Sequence, residues 1–271
     1  MLNDLSIKYP KHPFVWYLRG SAAAAAGDEN VWSQCWEFMT DRGAEWPTFL
    51  LIQAQRMVYR RQAAQALQLY DRLVEMNPSH EGIVSAASRV AFAAGDTTRL
   101  NRFVTLLLSR NPSDPWGNYV LGTMQLQRGE YDLAESSYRV ALPHIDIPYA
   151  ANNLAWILIM RGEYEEALTM LDRALEVDPE CAAAWDTQGM ALLRLERPAD
   201  AMASLDRALT IHPGDWDARL HTSMALSRLD RRDEAVAVLQ EMESAAKDVP
   251  ESKLAEYNSF RRRIGLSPVR Q

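Results

Sequence analysis

The pentapeptide LDRAL occupies residues 171–175 and returns at 205–209. It lies within RGEYEEALTMLDRALEVDPE (161–180) and again within ERPADAMASLDRALTIHPGD (196–215). A proline follows each time, Pro179 and then Pro213, also 34 residues apart. Extended in both directions, this ruler gives units starting near Pro13, Pro47, Glu81, Pro115, Pro148, Ala182 and Trp216. Six of the seven units are 34 residues long, and the one from Pro115 is 33.

Each unit reads as two helices. In the fifth, YAANNLAWILIM has apolar residues at helical spacing, RGEY interrupts, and EEALTMLDRALEV resumes the period. Gly162 can adopt the left-handed conformation that ends a helix, and Glu165 and Glu166 suit the positive N-terminus of the next one. Pro179 cannot continue that second helix. Arg61, Glu196 and Asp230 stand where other units have Gly27, Gly95, Gly129 and Gly162. No strand-like alternation of β-branched residues occurs, so the fold expected is all-α.

Two further places on the ruler define the packing. The eighth holds Gly20, Ala54, Ser88, Gly122, Ala155, Gly189 and Ser223, small in every unit, as expected where two helices touch. The twentieth holds Ala66, Ala134, Ala167, Ala201 and Ala235, but Trp32 and Leu100 in two units. Four places later, Trp36, Tyr70, Tyr138, Leu171, Leu205 and Leu239 are large enough to fill the gap to a neighbouring unit. A pair of helices this short cannot bury both apolar faces alone, so the units must stack.

These residues resemble the tetratricopeptide (TPR) repeat, whose pattern is W-x2-L-G-x2-Y, A-x3-F, A and P. Residues 182–215 supply Trp185, Gly189, Ala201, Leu205, Ala208 and Pro213; residues 115–147 supply Leu121, Gly122, Ala134, Tyr138 and Ala141. The resemblance implies a right-handed α-solenoid with first helices lining a concave side. It divides the chain into an N-terminal extension (1–12), a repeat array (13–249) and a C-terminal capping helix with its tail (250–271). The first unit departs from the pattern at Trp32 and lacks the closing proline. In the fourth, Pro143 should end the second helix early and leave PHIDIP as a stiff connection.

The resemblance also implies a binding groove. Its wall would carry Tyr17, Gln55, Arg89, Tyr119, Thr123, Asn152, Trp156, Asp186, Met190 and Met224, with Asn153 and His221 beside them. Phe14, Trp116, Tyr149 and Arg194 fall on the same places. Aromatic rings give contact area at low entropy cost, methionines adapt, and asparagine amides both donate to and accept from a peptide backbone. Packing between helices would use Trp116 and Tyr149 equally well. The Lys/Asn/Arg clamp by which some TPR cochaperones hold a terminal carboxylate is missing; the matching places offer Tyr17, Ser21, Ile52, Gly82 and Ala86.

Composition narrows the function further. The net charge is −7: residues 1–114 carry +1 and the remainder −8, the reverse of a nucleic-acid-binding stripe. Apolar runs fall short of a membrane span, and the N-terminus lacks the basic and apolar regions of a leader, which points to the cytoplasm. A leader already removed would instead point to the periplasm. Cys35 and Cys181 lie too far apart on the ruler to bond. His12, His80, His144, His212 and His221 form no H-E-x-x-H pair, no Cys-x2-Cys exists, and no phosphate loop or nucleophile elbow is spelled.

The expectation is therefore a non-enzymatic scaffold or adaptor for a protein or peptide, without cofactor, metal, nucleic acid or membrane insertion. NNLAW, WDTQGMALL and ARLHTSMALSRLDRRDEAVAVL also resemble closing repeats of bacterial TPR proteins of envelope assembly or polysaccharide export. A third reading is the non-catalytic part of a larger enzyme. Trp32, Trp36 and Trp46 in the irregular first unit would, if exposed, pair two chains into a homodimer.

Overall fold

The computed structural model describes residues 8–9, 12–41, 46–243 and 250–269. Most of the expected N-terminal extension, the stretch 244–249 and the last two residues of the tail lie outside the described residues. The described residues hold fifteen α-helices, one short 3-10 turn and no strand.

The first helices of the hairpins are α1 (Pro13–Ala25), α3 (Pro47–Tyr59), α5 (Glu81–Ala94), α7 (Pro115–Gln127), α9 (Pro148–Arg161), α11 (Ala182–Arg194) and α13 (Trp216–Arg228). Their partners are α2 (Glu29–Asp41), α4 (Ala63–Met76), α6 (Thr97–Arg110), α8 (Tyr131–Ala141), α10 (Tyr164–Val177), α12 (Pro198–Ile211) and α14 (Arg232–Glu243). A final helix, α15, spans Glu251–Arg263. The chain divides into two compact units, Met1–Pro112 and Ser113–Gln271. The first contains α1–α6 and the second α7–α15.

Local chemistry sets the helix limits. Asp96, Asp114 and Asp215 cap α6, α7 and α13, each carboxylate accepting from the backbone N–H three residues on. Gly162 ends α9 with φ +84°, a left-handed conformation that glycine adopts without a Cβ clash. Arg61, Glu196 and Asp230 reach the same region at φ +59°, +57° and +59° despite carrying side chains. The turn geometry is thus fixed by the hairpin, and glycine is its cheapest occupant. Pro143 shortens α8 to eleven residues, and Leu142–His144 continue only as a 3-10 turn.

All seven eighth-place residues are buried. A Cβ on Gly122 would meet the Tyr138 ring at 3.0 Å, and one on Gly189 would meet Leu205 Cγ at 2.6 Å. In the first hairpin Trp32 packs against Gly20, whose missing Cβ would stand 3.3 Å from that ring.

The tryptophans of the first unit meet one another and their neighbours. Trp32 and Trp36 have centroids 5.0 Å apart, Trp36 packs on Phe49 at 5.0 Å, and the Arg56 guanidinium lies over both indoles. Trp32, Trp36 and Trp46 are all half-buried, so much of the patch expected for chain pairing lies within this unit.

At the other end of the chain, α15 buries Leu254, Tyr257 and Phe260 against Leu220, Leu239 and Met242. The Tyr257 hydroxyl donates to the Leu239 carbonyl at 2.7 Å, tying the capping helix to the last hairpin. Cys35 and Cys181 are buried free thiols. No described helix is long and apolar enough to cross a membrane.

Candidate functional site

Of the twelve expected wall residues, Tyr17, Gln55 and Arg89 belong to the first unit and the other nine to the second. Tyr17 stacks on Phe14 at 5.9 Å, whereas Gln55 and Arg89 are exposed. The second unit brings its residues together on α7, α9, α11 and α13, where α9 lies against α11 and α11 against α13.

One group surrounds a cleft of about 270 Å³ lined by Leu126, Tyr131, Asn152, Asn153 and Trp156. The Tyr131 and Trp156 rings are tilted at 59° with centroids 5.7 Å apart. Asn153 Nδ2 donates to the Tyr138 hydroxyl at 3.0 Å, which donates to Thr123 Oγ1 at 3.3 Å, which donates to the Tyr119 carbonyl at 2.9 Å. Three of the expected residues are thus linked through a tyrosine that is wholly buried. Burial pushes the Tyr138 phenol up, against the pull of its hydrogen bonds to Thr123 and Asn153, so it stays protonated and keeps its donor role.

Asn152 is 9 % exposed, and its Oδ1 is buried without a hydrogen-bond partner. An amide oxygen left this way costs about 1–3 kcal/mol. Tyr119 differs from its expected role. At 6 % exposure its ring packs between Trp116 and Tyr138, with centroids at 5.5 and 6.4 Å, and offers the wall little surface. Trp116 is buried too, whereas Tyr149 is exposed.

The second group surrounds a cavity of about 230 Å³ bounded by α11, α13 and α15. Met190, His221 and Met224 line it, and so does Arg194. His221 is 7 % exposed, and its Nδ1 lies 2.7 Å from Asp186 Oδ1. Burial disfavours a charged imidazole here, but the Asp186 carboxylate, its hydrogen bond, and the nearby Glu256 and Asp217 prevail and raise the pKa above the ordinary histidine value. Nδ1–H therefore donates to the carboxylate. His221 and Asp186, both expected as wall residues, are thus bonded to each other through one ring nitrogen and one carboxylate oxygen.

Sequence reasoning missed several lining residues. Leu193, Arg228, Glu256, Ser259, Phe260 and Arg263 complete the second cavity, and Tyr131 and Leu126 the first. Four of these come from α15, which the ruler marks only as a cap. Among the described residues no three His, Cys, Asp or Glu side chains gather as a metal site would require.

Family comparison agrees with this geometry. One tetratricopeptide repeat model matches residues 152–215 and a second, also a tetratricopeptide repeat, matches 192–256. A search of curated protein sequences gives no match. Among solved structures, YrrB, a TPR protein with an unusual peptide-binding site, is 19 % identical with a TM-score of 0.53, covering 63 % of this chain and 89 % of its own. PilF of Pseudomonas aeruginosa is 13 % identical with a TM-score of 0.63, covering 80 % and 97 % respectively. A tetratricopeptide repeat protein of Parabacteroides merdae is 15 % identical with a TM-score of 0.58, covering 92 % and 98 %. At such identities the likeness speaks for the fold alone. Residues 152–256 thus match tetratricopeptide repeats in sequence, and the helical hairpins of the described residues share the all-α repeat fold of these neighbours.

Proposed function

We propose that this chain is a non-enzymatic adaptor that holds an extended segment of a partner protein against α7, α9, α11 and α13. Tetratricopeptide repeats serve in general as protein-interaction scaffolds, and the peptide-binding site of YrrB is one instance on this fold. The observation that carries the reading is the cleft at Asn152. Two neighbouring asparagines, Asn152 and Asn153, line it beside the Tyr131–Trp156 ring pair. Asparagine amides can donate to and accept from a peptide backbone, and the rings would cover an apolar side chain one or two residues away.

The test is a selection of random peptides displayed on phage against the immobilised full chain. Binding of the recovered peptides is then measured against Asn152→Ala and Trp156→Ala. A loss of tenfold or more in both variants is expected, in the range of a central contact removed from an interface. Recovery of no peptide, or unchanged binding in both variants, overturns the reading.

A further inference from the structure

The second unit is acidic: residues 113–271 carry 17 Lys and Arg against 26 Asp and Glu. The cavity under α15 reverses that balance. Arg194, Arg228 and Arg263 line it against a single carboxylate, Glu256. Arg228 is already engaged, donating to the Leu193 carbonyl at 2.6 Å and pairing with Glu196 at 2.9 Å. Arg263 lies over the Phe260 ring at 5.0 Å. Arg194 is exposed on the last turn of α11. The floor is apolar, made by Leu193, Phe260 and the two adaptable methionines, Met190 and Met224. His221 also lines it, with its Nδ1 2.7 Å from Asp186 Oδ1.

A short apolar stem ending in a negative group matches this arrangement: methylenes against Met190, Met224 and Phe260, and the anion toward Arg194 and Arg263. We propose that the cavity bounded by α11, α13 and α15 receives an acidic side chain, glutamate or aspartate, of the segment held by the neighbouring wall. This rests on the peptide-binding reading above and adds the partner's chemistry to it. The capping helix then becomes part of the recognition surface, because two of the charged lining residues, Glu256 and Arg263, come from it. Continuity favours a single segment spanning both clefts, since α9, which carries Asn152 and Trp156, packs on α11, which carries Met190 and Arg194.

The same phage selection provides the test when run in parallel on wild type, Arg194→Glu/Arg263→Glu and Glu256→Gln. Wild type should enrich glutamate or aspartate at one position relative to an apolar anchor. The charge-reversed variant should lose that enrichment while still recovering peptides through the Asn152 cleft. Glu256→Gln should tighten an acidic peptide by about two- to fivefold, the worth of an exposed like-charge contact removed. A second readout uses methionine methyl NMR with N-acetylglutamate amide, N-acetylglutamine amide and inorganic phosphate as probes. The Met190 and Met224 signals should move with the first only. Peptides recovered without acidic preference, or an acidic preference unchanged by charge reversal, overturn the inference and leave the peptide wall standing. Equal methyl shifts with phosphate would also overturn it, because the cavity would then be a general anion site without use for the apolar floor. Recovery of no peptide removes both readings.

Discussion

Gly189 offers the sharpest test of how these hairpins are held. An added Cβ would stand 2.6 Å from Leu205 Cγ and 2.7 Å from Cδ2, against ordinary contact distances of 3.4–4 Å. Leu205 cannot swing away, because it is wholly buried among Leu192, Leu193, Ala201 and Ala225. Gly189→Ala therefore forces α11 and α12 apart or Leu205 off its rotamer, a strain of about 1–3 kcal/mol. Alanine meanwhile favours the helix by about 1 kcal/mol over glycine. The net expectation is a destabilisation of up to about 2 kcal/mol. Leu205→Ala alone should cost about 2–5 kcal/mol through lost burial and a cavity. In that background the new methyl meets no obstruction, so Gly189→Ala should change sign and stabilise by up to about 1 kcal/mol. Urea unfolding followed by far-ultraviolet circular dichroism on the four proteins gives the cycle, with unchanged slopes required before midpoints are compared. Gly214→Ala, where nothing lies within 4 Å, is the neutral control. Additivity within about 0.5 kcal/mol would refute direct contact between the two positions.

Other outcomes follow from the same geometry. His221 has a raised folded-state pKa, so its contribution is complete below the unfolded value of about 6.5 and is lost as pH rises through the folded value. Stability of wild type should fall across that window and His221→Gln should flatten the fall; imidazole NMR showing titration below the ordinary value would contradict this. Arg61 holds φ +59° at a cost of about 1–2 kcal/mol for an L-residue, so Arg61→Gly should stabilise by about 0.5–1 kcal/mol in thermal unfolding, with a lowered midpoint as the contrary result. Burial pushes the thiols of Cys35 and Cys181 up, so a thiol-specific reagent should label neither in the native chain at neutral pH and both in urea. Rapid native labelling would show that one of them is reached without unfolding.

The helices were legible because their signals are local and recur. A proline that cannot continue a helix, a residue that must go left-handed and a small side chain at a contact each act within a few residues of themselves. Seven repetitions make their period unmistakable. Even Arg61, Glu196 and Asp230 could be placed, because the ruler says where the turn must be whatever residue occupies it. The division between Pro112 and Ser113 leaves no mark of this kind, since the step across it is a full 34 residues.

The candidate site was legible only where it obeys the ruler. Asp186 and His221 occupy the fifth and sixth places of successive units, and stacking one first helix on the next brings such places together. Their pairing was therefore available from the sequence to anyone asking which acid faces which base one unit away. Tyr119 shows the opposite case. Its place is that of a wall residue, but its size lets the ring turn inward onto Tyr138, and no periodicity records which way a side chain turns. Glu256, Phe260 and Arg263 lie beyond the ruler altogether. A capping helix has no repeat to define its register, so its contribution depends on how Leu254, Tyr257 and Phe260 seat it on the last hairpin. Those buried residues set the helix's rotation, and the rotation brings the Arg263 guanidinium to a cavity whose other walls come from the array. A helix outside the repeat can thus add lining side chains that no ruler places in advance.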